Sequence, residues 1–353
     1  MKTSSALTST DIAMLSRAVE IARLGLGNVA TNPHVGAVIA VGNKIIGEGF
    51  HRQWGGPHAE VNAFRSVRPE NMALLPEATI YVTLEPCSHY GKTPPCSRLI
   101  IEKRVKRVVV GAVDPNPKVD GGGIAMIRRA GIEVVIADGE IARRCRDLDP
   151  VFMTSFRLKR PYITLKWAQS ADGFMADKNG RPVKFSTPLT STLVHQLRSR
   201  RQAILTTSAT VIADNPRLDT RLWSAGNDPV KIVLDRRNST SPDAVVYSSG
   251  RQPVILFTVE NNRQETITVN RGTTPEQIVN ELNNQKISSL LVEAGPTMLN
   301  EFIKAGLWDE IRIELAPFSL GDNGGKPAPT PPALPSSTET IDGRTVFTIM
   351  NSH

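Results

Sequence analysis

Cysteine is scarce: the chain has three in 353 residues, Cys87, Cys96 and Cys145. So small and odd a number in so long a chain argues against a disulfide framework. No stretch approaches the ~20 apolar residues of a membrane helix. The polar, Ser- and Thr-rich residues 1–11 contain no apolar signal segment. A cytoplasmic protein, away from membranes, is the expectation. Long Lys/Arg tracts are also missing. The 42 basic and 34 acidic residues are dispersed and give a net charge of +8, which suits phosphorylated small molecules better than nucleic acid. There is no G-x-G-x-x-G, so a standard Rossmann dinucleotide site is not expected. Cys145, alone in an Arg-rich stretch, reads as a small half-buried hydrophobe.

The length is comfortable for two domains. Apolar spacing predicts a helix capped by Asp11 and carrying Ile12, Leu15, Val19 and Ala22 to a stop at Gly25 and Gly27. Residues 35–41 and 44–50 read as a hairpin around Gly42-Asn43. Pro57 is expected to open a helix. Strands are predicted at 79–84, 105–113 and 132–136, and helices from Cys96 and over 123–130. Alternating strands and helices imply an α/β sheet. A short helix and linker around 137–160 separates this half, residues 1–150, from residues 151–353. There the pattern restarts, with strands at 162–166, 203–206, 230–234, 254–258 and 289–293. Helices are expected at 190–200 and from Gly295 to about 305, a Pro-rich loop at 326–336 and a closing strand at 346–350.

The chemistry concentrates in Pro57-His58-Ala59-Glu60 and Glu85-Pro86-Cys87, with Cys96 nine residues later. One imidazole and two thiolates are ligands that zinc favours. Three protein ligands leave the fourth tetrahedral position to water, the catalytic rather than the closed arrangement. Both ligand groups fall at predicted helix starts, where backbone N–H groups favour negative charge. Glu60, two residues from His58, is about 200° away around a helix. It is thus placed to move protons rather than to ligate. H-x-E followed by P-C and a second Cys is the signature of zinc nucleobase deaminases, although their usual C-x-x-C spacing is stretched here. A closed structural site with His89 as fourth ligand is the competing reading.

The motifs together resemble the bifunctional riboflavin biosynthesis deaminase/reductase family. They are Asn32-Pro33, Val35-Gly36-Ala37-Val38, Gly47-Glu48-Gly49, His51, Pro57-His58-Ala59-Glu60, residues 83–89, Gly91-Lys92-Thr93-Pro94-Pro95-Cys96 and Asp114-Pro115-Asn116-Pro117. The long insert between the cysteines is characteristic of that family, and the resemblance runs over nearly the whole chain. It implies a cytidine-deaminase-like α/β/α domain followed by a dihydrofolate-reductase-like α/β domain. The first would deaminate 2,5-diamino-6-ribosylamino-4(3H)-pyrimidinone 5′-phosphate. The second would use NADPH to reduce the ribosyl group of the product to ribityl. By resemblance His58, Cys87 and Cys96 bind one zinc ion, and Glu60 shuttles protons. Asn32, His51, His89 and Lys92 are candidates to hold the pyrimidine phosphate; each also reads as a loop-ordering hydrogen bond. A homo-oligomer is expected.

In the second half, residues 289–293 form an apolar strand running into Gly295-Pro296-Thr297, a turn whose N–H groups suit phosphate but which reads equally as a plain strand-to-helix turn. Lys166, Ser170, Asp172-Gly173, Ser208-Ala209-Thr210-Val211, Asp214, Pro216, Leu218, Arg221, Asp235 and residues 293–297 resemble the family's reductase domain. Carried over, Ala168, Thr210, Asp214, Arg236 and the run Gly295, Pro296, Thr297, Met298, Leu299, Asn300 and Glu301 would line the NADP site. Arg198, Leu218, Arg221 and Glu293 would face the substrate, with the two arginines suited to clamp its phosphate. Lys184 stands where many members carry Trp, in a loop expected to border the cofactor; Lys184 or Arg181 would serve an anion there. Lys166 and Asp172 are the polar residues nearest the end of the first strand. An alternative keeps the deaminase but assigns it tRNA or free cytidine, with the C-terminal half as a binding module.

Overall fold

In the computed structural model, the described residues are 6–25, 33–53, 55–90, 94–116, 119, 121–179, 181, 183–224, 226–250, 252–259, 266–269 and 272–351. They divide into two compact units, residues 1–158 and 159–353.

The first unit runs α1 (Ser9–Ala22), β1 (Gly36–Val41), β2 (Lys44–Phe50), α2 (Ala59–Ser66), β3 (Thr79–Val82), α3 (Cys96–Glu102), β4 (Arg107–Val110), α4 (Gly122–Arg129), β5 (Glu133–Ile136), α5 (Gly139–Arg146) and α6 (Pro150–Arg157). The sheet order is β2-β1-β3-β4-β5. β1 is antiparallel to β2 and β3, whereas β3, β4 and β5 are parallel. Side chains alternate across the strands. Val38, Ala40, Tyr81 and Val109 pack with Leu15, Ala18 and Val19 of α1 and with Ile141 and Cys145 of α5. Ala37, Ile39, Ile80, Val82 and Val108 pack on the other face with Ala63 and Phe64 of α2, Ile100 of α3 and Ile127 of α4. The result is a three-layer α/β/α unit.

Two helix starts differ from the expectation. Thr8, not Asp11, caps α1: the Thr8 hydroxyl accepts from Asp11 N–H at 3.1 Å and the Asp11 carboxylate accepts from Thr8 N–H at 2.9 Å. Asp11 thus closes a capping box, and its buried carboxylate also receives the Arg107 guanidinium at 2.6 and 3.2 Å. Pro57 precedes α2 rather than opening it, because His58 is the N-cap.

The second unit continues with β6 (Tyr162–Gln169), α7 (Pro188–Ser199), β7 (Ala203–Thr207), α8 (Ser208–Asp214), β8 (Val230–Leu234), α9 (Val245–Ser248), β9 (Val254–Thr258), β10 (Thr266–Thr268), α10 (Pro275–Asn284), β11 (Ser289–Val292), α11 (Pro296–Lys304), β12 (Glu310–Leu315), β13 (Ser337–Ile341) and β14 (Arg344–Met350). Its sheet has the order β10-β9-β8-β7-β11-β6-β12-β14-β13. Pairing is parallel from β10 to β12 and antiparallel at β14 and β13. One face buries Leu165, Trp167, Leu205 and Ile313 under α10 and α11. The other buries Ile204, Val233 and Leu291 against Val211 of α8 and Val246 of α9. The apolar central strands are as expected for a covered parallel sheet. Strands β10, β12 and β13 and helices α8 and α10 were not anticipated from the sequence. Among the described residues, no helix is long and apolar enough to cross a membrane.

Candidate functional site

In the first unit, His58, Cys87 and Cys96 arrive from three places. His58 is the N-cap of α2, Cys87 follows β3, and Cys96 is the first residue of α3. His58 Nδ1 lies 3.6 Å from Cys87 Sγ and 3.3 Å from Cys96 Sγ. All three ligand atoms are within 4.8 Å of one another, and no other such group of three or more occurs among the described residues. A tetrahedral zinc ion with Zn–S of about 2.3 Å and Zn–N of about 2.0–2.1 Å needs N···S edges of about 3.5 Å. The donors fit that ion in spacing and in kind. His89, the suggested fourth ligand, is described and is not in the group.

The backbone helps hold the sulfurs. Cys96 N–H points at Cys87 Sγ at 3.3 Å, and Ser97 N–H donates to Cys87 O at 3.2 Å. The hydrogen bond to Cys96 and the neighbouring His58 lower the pKa of the Cys87 thiol, which favours the thiolate a metal needs. Glu60 sits buried in the first turn of α2. Burial raises its pKa, and the positive charge of His58 opposes that rise. His51 is buried at the sheet edge, its Nδ1 3.1 Å from Pro57 O and its ring edge-on to His58 at 5.7 Å. Burial lowers its pKa, keeping the imidazole neutral beside the ligand. Asn32 and Lys92 lie outside the described residues.

Glu85 was missed by sequence reasoning. Its buried carboxylate accepts from four backbone N–H groups: Asp114 at 3.3 Å, Gly121 at 3.0 Å, Gly123 at 3.0 Å and Ile124 at 3.1 Å. It ties the Cys87 loop to the start of α4. Gly123 is required there, since a Cβ would stand 1.9 Å from Pro86 O. The run Gly121-Gly122-Gly123 was the only trace in the sequence.

The second unit has a cavity of about 310 Å³. Of the expected cofactor residues, Ala168, Thr210, Asp214, Gly295 and Pro296 line it; of the substrate residues, Arg198, Leu218 and Glu293 do. Lys184, Arg221, Arg236, Thr297, Asn300 and Glu301 are not on its wall. The side chains of Met298 and Leu299 are packed in the core. Arg236 donates to Thr273 O and lies 3.6 Å from Glu301.

The two expected phosphate clamps are already engaged. Arg198 meets Glu293 through two parallel bonds, Nε–Oε1 at 2.9 Å and Nη2–Oε2 at 2.8 Å. Burial works against the Glu293 charge, but Arg198 wins and holds its pKa at about 2. Arg221 donates to Asp219 Oδ1 at 2.5 Å, and Asp219 O in turn accepts from Arg198 at 3.2 Å. His195, buried beside these cations, is pushed down to about 4, chiefly by burial. The expected loop around Lys184 is pinned instead by Glu314, whose carboxylate accepts from Ser186 and Thr190 hydroxyls, both at 2.6 Å.

Comparison with known proteins matches both units. Residues 8–112 match the cytidine and deoxycytidylate deaminase zinc-binding region, and residues 161–347 match the RibD C-terminal domain. The riboflavin biosynthesis protein RibD of Aquifex aeolicus is 37% identical over 313 residues, covering 86% of each chain. That of Escherichia coli K12 is 36% identical over 330 residues, covering 88% of each. The structure of Acinetobacter baumannii RibD superposes with a TM-score of 0.84 at 31% identity, covering 98% of this chain and 99% of that one. A diaminohydroxyphosphoribosylaminopyrimidine deaminase/5-amino-6-(5-phosphoribosylamino)uracil reductase from Thermotoga maritima gives 0.83 at 34%, covering 97% and 99%. A C-terminal binding module on a tRNA or cytidine deaminase is not favoured by a C-terminal half that matches RibD throughout. With relatives above 30% identical across most of both chains, and the zinc-type donor triad in the matching half, the chain belongs to the RibD family of bifunctional riboflavin-biosynthesis deaminases and reductases.

Proposed function

We propose that this chain catalyses two successive steps of riboflavin biosynthesis, with residues 1–150 as deaminase and 151–353 as reductase. The observation that carries the first step is the donor triad His58, Cys87 and Cys96 with buried Glu60 on the adjoining helix turn. A zinc ion held there would supply hydroxide at neutral pH, by lowering the pKa of water to about 7. Glu60 takes the proton that water loses and delivers it to the pyrimidine ring nitrogen, then takes a second proton from the added hydroxyl and gives it to the amino group, which leaves as ammonia while the carbonyl forms. His51, neutral and packed on His58, fixes the ligand's ring plane and meets the base; Asn32 is assigned to the base by the family resemblance alone. His89 and Lys92 serve the substrate's ring and phosphate.

The second step transfers a hydride from NADPH to the sugar carbon of 5-amino-6-(5-phosphoribosylamino)uracil. Ala168, Thr210, Asp214 and the start of α11 hold the dinucleotide. Leu218, Arg198 and Glu293 bound the substrate. The protein's task in such chemistry is orientation. The enzyme is cytoplasmic, acts on phosphorylated pyrimidines rather than nucleic acid, works away from membranes, and assembles from identical copies.

The test is a coupled assay with the diamino pyrimidinone phosphate. Ammonia release without NADPH, followed by NADPH oxidation once it is added, is the expected course. Glu60→Gln should abolish ammonia release and retain zinc; normal release from that variant would remove Glu60 from the mechanism. Faster release from RNA or cytidine would overturn the substrate assignment.

A further inference from the structure

Phosphate in the second-unit cavity is met most freely by an exposed cation that no carboxylate holds by a hydrogen bond. Arg198 is held by Glu293 in a two-pronged pair, and Arg221, off the cavity wall, donates to Asp219. Lys166 is half-buried, and its charge is felt by the buried Glu293. One further cation lines the cavity, Lys326; its charge is felt by Asp214, but its ammonium makes no hydrogen bond or ion pair with a described residue. It is solvent-exposed and lines the cavity together with Asp214, Thr210 and Gly295.

The backbone beneath Lys326 is fixed. Residues 320–328 run against 172–178 as a ladder. Leu320 and Gly321 donate to the Asp172 carboxylate at 3.1 and 2.7 Å, and Lys178 N–H donates to Asn323 O at 2.7 Å. Gly325 N–H donates to Ala176 O at 3.1 Å, Met175 N–H to Lys326 O at 2.8 Å, and Ala328 N–H to Gly173 O at 2.8 Å. Two glycines make the approach possible. A Cβ on Gly324 would stand 2.3 Å from the Phe174 ring, and one on Gly325 2.1 Å from Asp177 O. The donors and glycines hold the main chain, so the lysine stem leaves it from a set point. A flexible stem on a fixed base is suited to meet an anion as a point charge.

We propose that Lys326 is a specificity-determining residue of the reductase cavity, its ammonium recognising a phosphate group of the bound ligand. That phosphate belongs either to the dinucleotide or to the sugar phosphate. The inference rests on the reductase reading of this unit and adds a residue to it.

The experiment compares the full-length wild-type enzyme with Lys326→Ala and Lys326→Arg. NADPH affinity is read by fluorescence titration, and KM by turnover of the deaminated phosphoribosyl substrate. An exposed charge-assisted contact predicts about a tenfold weakening in Lys326→Ala, with recovery in Lys326→Arg and an unchanged melting temperature. A raised NADPH Kd at constant substrate KM assigns the dinucleotide phosphate. A raised substrate KM at constant NADPH Kd assigns the sugar phosphate. Unchanged values for both overturn the proposal. So does weakening accompanied by a lowered melting temperature that arginine does not restore, since that marks a structural role for the ladder. If the wild type itself neither binds nor oxidises NADPH, the reductase reading fails instead.

Discussion

Arg198 and Glu293 face each other across the cavity wall as a parallel fork, bonded at 2.9 and 2.8 Å and largely shielded from water. Neither partner is easily replaced, because removing one leaves the other charged and buried. Glu293→Gln is expected to cost about 3–5 kcal/mol and to reduce NADPH-dependent turnover far more than it changes NADPH affinity. Calorimetry of the second-unit transition and steady-state kinetics check both parts. A near-neutral effect on stability would mean the pair is looser than its geometry.

His195 gives the same wall a pH dependence. Its folded pKa of about 4 lies below its ordinary 6.5, so the unfolded chain binds the extra proton first as the pH falls. Its stabilising contribution is full above 6.5 and lost progressively between 6.5 and 4, on the order of 3 kcal/mol. Glu293, held at about 2, adds a second loss only below the usual carboxylate range near 4.3. Melting temperatures from pH 7 to 4.5 should fall in the wild type and flatten in His195→Gln.

Glu85 bonds four backbone N–H groups beside Cys87. In Glu85→Ala these donors stay buried and unpaired, at about 1–3 kcal/mol each before relaxation. Zinc affinity is expected to weaken by about 10- to 100-fold, as for other residues that orient metal ligands. Competition with a chromophoric chelator measures it. Wild-type affinity in that variant would show that the loop holds its shape without the carboxylate.

Chelation separates the two activities. Stripping the metal should end ammonia release, while NADPH oxidation on independently supplied deaminated substrate continues. Readdition of zinc should restore the first activity. Equal loss of both would contradict separate sites.

The zinc donors were legible because their chemistry is written in three residue types at fixed places. Apolar strands such as residues 203–207 and 230–234 were legible for the same kind of reason. Strand β12 was not: its Glu310, Arg312 and Glu314 read as a polar stretch. The two glutamates are buried with partners in place: Arg201 meets Glu310 at 2.7 Å, and Ser186 and Thr190 meet Glu314 at 2.6 Å. Those partners are over a hundred residues away, beyond any local pattern. Arg198 looked available for phosphate for the same reason, since Glu293 lies far along the chain; the partner of Arg221, Asp219, is close in sequence and was overlooked. Asp11 was placed three residues too early in its role because a capping box needs both ends, and the Thr8 partner was overlooked.

The most direct measurement is zinc K-edge X-ray absorption on the purified, metal-replete protein. The account predicts one zinc per chain with two sulfurs at about 2.3 Å and two nitrogen or oxygen neighbours at about 2.0–2.1 Å. One of those lighter neighbours should exchange with added anions and the other should disappear in His58→Ala. A shell of four protein ligands, or one without sulfur, contradicts it.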